Sequence, residues 1–239
     1  MSDWFVFDTL DTRTDGILVF WNEIDNAPVR QYKTFTANGR NGTLLLDLKR
    51  YENIDHKYGV IFTPSDGVSA LDKYKAFRDQ LYALQGYKTL HDSFNTSEHY
   101  SAYVSTALGA VLPRERDMVR ANVVFSRKPE RFLNSGDIIT ELTADGTITN
   151  PTSYDAKPPL RIYGTGTVYI GSQAIVITAA DVYTDIDCEA MICFKGTANK
   201  GTSVRFSNNA YPVLVAGTNT VALGNGITKV EITPRWYTL

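Results

Sequence analysis

Cysteine is nearly absent from this chain of 239 residues: there are two, Cys188 and Cys193, and only three histidines, His56, His91 and His99. That scarcity removes a disulfide-stapled scaffold, and it removes a structural zinc site, which needs four Cys or His ligands at set spacings. Long apolar runs are missing too. None approaches the roughly 20 residues that cross a bilayer, so no membrane insertion is expected. No charge of one sign dominates: 24 Lys plus Arg stand against 26 Asp plus Glu, a formal net charge of −2. A protein that grips nucleic acid by its phosphates carries a basic excess or stripe, and none is visible. The start, Met1-Ser2-Asp3-Trp4-Phe5, has no basic stretch ahead of an apolar one, so a secretory signal is not expected. The chain reads as soluble and made in a cytoplasm.

Motifs that carry chemistry are equally thin. His91-Asp92-Ser93 holds the residue types of a hydrolase triad. A triad, however, converges from separated segments, whereas consecutive side chains of an extended stretch point to opposite faces. Gly39-Arg40-Asn41-Gly42 and Gly164-Thr165-Gly166 are each followed by a strand pattern, where a phosphate-cradling loop would open a helix, so both read as turns or bulges. Arg114-Glu115-Arg116-Asp117 mixes signs and reads as a solvated loop or edge. No catalytic residue, metal ligand or cofactor is expected, and the chain does not read as an enzyme.

What is present is a folded, β-rich protein. Hydrophobic residues make up 43% and charged ones 21%, a globular balance, and the length suits two modest domains. One segment is helical by its period. Ser69 can cap Ala70 to Gln85, Asp72 completes a capping box, and Leu71, Tyr74, Phe77, Leu81 and Leu84 form one stripe ending before Gly86.

Nearly everything else reads as strands and turns. Asn41-Gly42 predicts a type I′ hairpin turn. Ala121 to Phe125 is a strand closed by Ser126-Arg127-Lys128-Pro129. Val168–Ile170 and Ala174–Ile177 form a hairpin across Gly171-Ser172, and Val221–Leu223 with Ile227–Ile232 form another across Gly224-Asn225-Gly226. Ile186 to Phe194 reads as one strand. That places the cysteines roughly 16 Å apart on opposite faces, beyond the about 7 Å that a disulfide allows between Cα atoms. They read as small apolar fillers.

Turn residues gather and charge thins between about Asn134 and Pro159. Residues 1–132 hold 17 basic and 17 acidic residues, and 133–239 hold only 7 and 9, which separates two domains, 1–135 and 136–239. The expected fold is mainly β: an N-terminal β-sandwich or split barrel with one packed helix, then an all-β sandwich. Aromatics are 12% of the chain, and Tyr163, Tyr169, Tyr183, Tyr211 and Trp236 are candidates for a glycan-binding face on the second domain.

The run Asn38-Gly39-Arg40-Asn41-Gly42-Thr43-Leu44-Leu45, followed by Arg50-Tyr51-Glu52-Asn53, resembles the distal tail protein (Dit) family of long-tailed, non-contractile phages. The likeness continues in order through the helix, Leu90-His91-Asp92-Ser93 and Phe125-Ser126-Arg127-Lys128-Pro129. It then runs through Asn150-Pro151-Thr152, Ile162-Tyr163-Gly164-Thr165-Gly166, Ile186-Asp187-Cys188-Glu189 and Pro234-Arg235-Trp236-Tyr237. The resemblance implies a galectin-like second domain facing outward from a homohexameric ring that the first domain builds.

It also implies a place in the virion, at the distal end of the tail. The tail tube protein would lie above, and a tail-tip or tail-fibre protein below. The tape-measure protein, and later DNA, would pass the lumen, and in some phages receptor-binding parts attach. Within the ring, the hairpin around Arg40, Asn41 and Gly42, with its arm Leu44-Leu45-Leu46, is expected to carry oligomerisation. Three consecutive leucines put apolar side chains on both faces of one strand, and both then want cover. The alternative function is a carbohydrate-binding module recognising host cell-wall glycans through Tyr163, Tyr169 and Trp236.

Overall fold

The computed structural model describes residues 3–13, 17–23, 27–111 and 117–239. The chain divides into two compact units, Met1–Arg131 with Leu239, and Phe132–Thr238. Arg114, Glu115 and Arg116 of the mixed-charge run lie outside the described residues.

The first unit contains β1 (Phe5–Phe7), β2 (Leu10–Asp11), β3 (Leu18–Glu23), β4 (Arg30–Phe35), β5 (Leu44–Tyr51), β6 (Ile54–Phe62), α1 (Ala70–Ala83), β7 (Lys88–Asp92), β8 (Glu98–Val104), β9 (Ala110–Val111) and most of β10 (Val119–Leu133). Its main sheet runs β2-β1-β7-β8-β10-β6-β3, with β9 also on β10. Alternation sets which face is covered. Ile54, His56, Tyr58, Val60 and Phe62 of β6 are buried, as are Val119, Ala121, Val123, Phe125 and Arg127 of β10. The antiparallel register, Val119 opposite Phe62 through Arg127 opposite Ile54, brings these two rows side by side.

Helix α1 lies on that row. Ser69 Oγ accepts the Asp72 N–H at 3.1 Å, the cap expected from the sequence. Tyr74, Phe77 and Leu81 are buried, but Leu71 is exposed and Ala70 takes the inner place at the first turn. Phe77 packs edge-on to Phe62 with ring centres 5.3 Å apart, and to Phe5 at 6.5 Å. Burying one such ring contributes about 1.5–3 kcal/mol.

The strand expected to close at Ser126 instead continues to Leu133. Its last partner on β6 is Ile54, opposite Arg127. Pro129 therefore sits beyond the shared ladder, where its missing N–H costs nothing on that side.

The second unit comprises β11 (Thr140–Leu142), β12 (Gly146–Asn150), β13 (Pro159–Gly164), β14 (Gly166–Ile170), β15 (Gln173–Ile177), β16 (Tyr183–Asp187), β17 (Ile192–Lys195), β18 (Ala198–Asn199), β19 (Val204–Phe206), β20 (Gly217–Leu223) and β21 (Ile227–Ile232). Two sheets, β11-β21-β13-β16-β17-β18 and β12-β20-β14-β15-β19, face each other. Leu160, Ile162, Ile186, Val230 and Ile232 from the first meet Ile148, Val168, Ile170, Ile175, Ile177 and Val221 from the second in one core. This is a β-sandwich. The turn-rich stretch after Asn134 is part of it, because β11 and β12 pair with β21 and β20.

Three local expectations change here. Ile186 to Phe194 is a hairpin rather than one strand: Asp187 Oδ1 accepts the N–H groups of Glu189 and Ala190 at 2.9 and 3.0 Å and turns the chain, so Ile186 pairs with Cys193. Both cysteines are buried in the same core and both thiols are free. Val221–Leu223 and Ile227–Ile232 do not form a hairpin either, since β20 and β21 belong to opposite sheets.

At that crossing Gly224-Asn225-Gly226 interlocks with Gly164-Thr165-Gly166, where β13 gives way to β14 in the other sheet. Thr165 donates its N–H to Gly226 O at 3.2 Å, and Gly224 donates to Thr167 O at 2.8 Å. A Cβ on Gly164 would lie 2.1 Å from Gly226 O, and one on Gly226 would lie 2.1 Å from Thr165 O. The two glycine pairs are one corner, built twice. The hairpin across Gly171-Ser172, by contrast, forms as expected, with Ile170 opposite Gln173.

Candidate self-association surface

Among the described residues, the strands β4 and β5 pair only with each other. A two-stranded ribbon has no third strand to hide behind, and alone in water it is marginal. Its base is nonetheless tied. The Arg30 guanidinium meets Asp47 through Nε and Oδ1 at 3.0 Å, and it donates to the Tyr51 hydroxyl at 3.2 Å. Asp47 also accepts the Lys49 N–H at 2.9 Å, where Lys49 has a φ of 55° and the register shifts by a bulge. The Arg30 partner, seconded by that backbone N–H, holds the Asp47 carboxyl down at about 2.

Beyond this base the ribbon is apolar. Register places Phe35 opposite Leu44, Thr34 opposite Leu45 and Lys33 opposite Leu46. Since neighbours alternate, Phe35, Leu44 and Leu46 share one face, while Leu45 shares the other with Tyr32. Leu45 is 65% exposed, Leu46 53% and Phe35 44%. Leu48 and Tyr32 are exposed as well. Both faces of the ribbon therefore present large apolar side chains to solvent.

The six residues expected to act together, Arg40, Asn41, Gly42, Leu44, Leu45 and Leu46, do lie at one end of this ribbon. The turn is not the two-residue type I′ form. Thr36 to Thr43 form an eight-residue tip in which Gly39 (φ 78°) and Gly42 (φ 83°) take the left-handed region while Asn41 does not. Arg40 donates its N–H to Ala37 O at 3.3 Å, so Gly39 fills the third position of a first turn. Sequence reading missed β4 and with it Tyr32 and Phe35. Its polar residues, Arg30, Gln31, Lys33 and Thr34, hide the period, and only the pairing with β5 reveals it.

The residues expected on a glycan face are dispersed. Trp236 is 5% exposed and part of the sandwich core, and Tyr169, 46% exposed, stands on the outer side of the five-stranded sheet. Tyr163 lies on the outer side of the six-stranded one. There its hydroxyl donates to Glu231 Oε1 at 3.0 Å, and the Lys229 ammonium sits 4.5 Å from its ring centre. Beside it Arg161 pairs with Asp185 at 2.6 Å and lies 4.3 Å from the Tyr183 ring centre. A cleft of about 320 Å³ runs along this face, lined by Arg161, Asp185, Phe194 and Glu231. Hydrogen bonding to Lys229 lowers the Glu231 carboxyl, and the Asp185 carboxylate raises the Arg161 guanidinium.

His91-Asp92-Ser93 is extended and split as expected. Asp92 points into the core, accepts the Tyr58 hydroxyl at 2.7 Å and the N–H groups of Phe94 and Asn95 at 3.1 Å, and lies 3.7 Å from His56 Nε2. Ser93 Oγ accepts the Trp4 N–H at 3.1 Å. Burial first, then the Asp92 charge, pushes the neighbouring Tyr100 hydroxyl up to about 12.

Over the full length of both chains, the structure is similar to that of the SPP1 Dit (gp 19.1) protein, described as a paradigm of hub adsorption apparatus in phages infecting Gram-positive bacteria. The TM-score is 0.66 and the identity 12%. It is also similar to chains of the phage p2 baseplate in its activated conformation, with Sr at TM-score 0.54 and with Ca at 0.51. Each of these is 10% identical, covering 97% of this chain and 98% of the other. No family model matches the chain, and no curated protein sequence matches it. The chain has the mainly β fold of a phage Dit protein from end to end.

Proposed function

We propose that this protein is the structural hub of a long non-contractile phage tail, a homohexameric ring at the distal end of the tail tube that joins the tube to the tip or baseplate. The observation that carries this reading is the β4–β5 ribbon, whose two apolar faces find no cover among the described residues. The full-length fold likeness to hub and baseplate chains supports it.

Ring closure needs one surface to dock on a different surface of the next copy. A projecting ribbon suits such head-to-tail contact, and the sheet edge at β2 offers further backbone. Residues 1–135 would build the ring, and residues 136–239 would face outward. The partners are the tail tube protein, a tail-tip or tail-fibre protein, the tape-measure protein within the lumen, and receptor-binding parts where the tip carries them. A net charge of −2 lets DNA pass without being gripped.

Light scattering after size exclusion, with negative-stain microscopy, tests the ring. Wild type is expected at six times the chain mass, and an Arg40→Glu, Leu45→Asp variant at one. A wild type that stays monomeric when concentrated, or a variant that assembles unchanged, would refute it. The outer face around Tyr163, Tyr183 and the Arg161 cleft favours a second reading, a glycan-binding module. Its charged groups already satisfy one another, which places it second. Binding on a glycan array that Tyr163→Ala abolishes would promote it.

A further inference from the structure

Two histidines outside every surface discussed so far stand side by side. Leu90 and Tyr100 are paired across β7 and β8 and buried together. One step further along the same register, His91 and His99 face each other on the opposite side of the sheet, half-buried, with ring centres 5.2 Å apart and planes at 41°. Both strands are paired on each flank, β7 by β1 and β8 by β10, so the backbone beneath the rings is held in place. Along β7 and β8 and on the β1 flank the adjoining positions on this side are uncharged: Val6 opposite His91, and the pair Thr89 and Ser101 one step away.

An acid stands one strand over. Ser105 donates to Val124 O, and Arg131 lies 4.0 Å from Glu98. Both contacts fit a single antiparallel register that sets Glu130 opposite His99. Glu130 Oε2 is buried without a hydrogen-bond partner.

We infer that His91 and His99 form a two-imidazole chelate for a divalent transition-metal ion of the Ni²⁺, Cu²⁺ or Zn²⁺ class. Metal–nitrogen bonds of about 2.0–2.1 Å put a ring centre about 3.2 Å from the ion, so two such rings stand about 4.5 Å apart at the right angle that Cu²⁺ and Ni²⁺ favour and about 5.2 Å apart at the tetrahedral angle of Zn²⁺. The observed 5.2 Å is the upper, tetrahedral value of that range. Imidazole suits these metals, whereas Ca²⁺ and Mg²⁺ take oxygen donors. The described residues contain no cluster of three or more His, Cys, Asp or Glu able to hold a metal, so water fills the remaining positions and Glu130 contributes its charge from a distance. Binding requires neutral rings, so protons compete with the ion.

The test is calorimetric titration of the full chain with Ni²⁺ and with Cu²⁺ at pH 7.5 and 5.5, alongside electron paramagnetic resonance of the Cu²⁺ form. The expected result is one site per chain, two coordinating nitrogens in the spectrum, and affinity at least tenfold weaker at pH 5.5. His91→Gln and His99→Gln should each weaken binding at least tenfold and remove the rise in melting temperature that the ion gives wild type. Their melting without metal shows whether they are folded. Binding that survives in the double variant would mean an adventitious ion only, and would overturn the inference. So would a wild type with no site tighter than about millimolar. Neither outcome depends on whether the chain forms a ring.

Discussion

At the scale of single residues, close backbone approach and buried polarity decide most. Gly226 has a φ of 87° and no room for a Cβ against Thr165 O. Gly226→Ala should destabilise the sandwich by at least about 2 kcal/mol, since strained backbone alone costs 1–3 kcal/mol. Gly171→Ala, at a φ of 56° with open space around it, should cost about 1 kcal/mol. Urea unfolding of the two variants measures the difference.

Burial pushes the Cys188 thiol up to about 12. The folded state thus favours the protonated thiol, and this contribution is whole below the ordinary thiol range and is lost as pH rises toward 12. Melting temperatures from pH 8 to 11 should fall more steeply for wild type than for Cys188→Ala. Composition showed that the cysteines were scarce and apolar in setting. It did not show that Asp187 would turn the chain and bring both into one core, because an Asx turn inside an apolar run leaves the hydrophobic pattern unchanged.

At the scale of elements, α1 was the most legible, because a cap and a 3.6-residue period coincide in sequence. Ser69→Ala should cost about 1 kcal/mol in thermal or urea unfolding. Long-range pairing was far less legible. Nothing local distinguishes a hairpin from two strands that part company at a corner, so Gly224-Asn225-Gly226 read as a turn when it is a passage between sheets. The triple leucine was visible, and its exposure on both faces follows from the pairing of β5 with β4 alone among the described residues, a fact of topology rather than of composition. In dilute monomer the β4–β5 amides should exchange with deuterium within seconds to minutes, and in assembled material they should be protected at least a hundredfold. The Arg30–Asp47 pair at the ribbon base should survive moderate acid. A depressed carboxyl keeps its contribution above the ordinary carboxylate range and loses it as pH falls toward about 2.

At the scale of the whole molecule, each unit has its own core and its own critical groups. Phe5, Tyr58, Phe77 and Phe125 close one, and Ile162, Ile175 and Val230 the other. Scanning calorimetry should therefore respond to two variants in different parts of the trace. Asp92→Asn exchanges a buried acceptor of three hydrogen bonds for an amide and should lower the transition of the first unit by about 2–4 kcal/mol. Gly226→Ala should lower that of the second. A single transition moved equally by both would mean that the units melt as one. Charge and turn residues in the sequence point to two domains divided at residues 135 and 136, and the chain divides into two compact units at Arg131 and Phe132. The passage of β10 beyond Pro129 was not legible, because Pro129 reads as a stop until the end of its partner strand is known. On the proposed ring, the exposed ribbon would also give the lone subunit a lifetime set by dilution: sparse copies would leave it open to proteases, whereas a burst of synthesis would shield it.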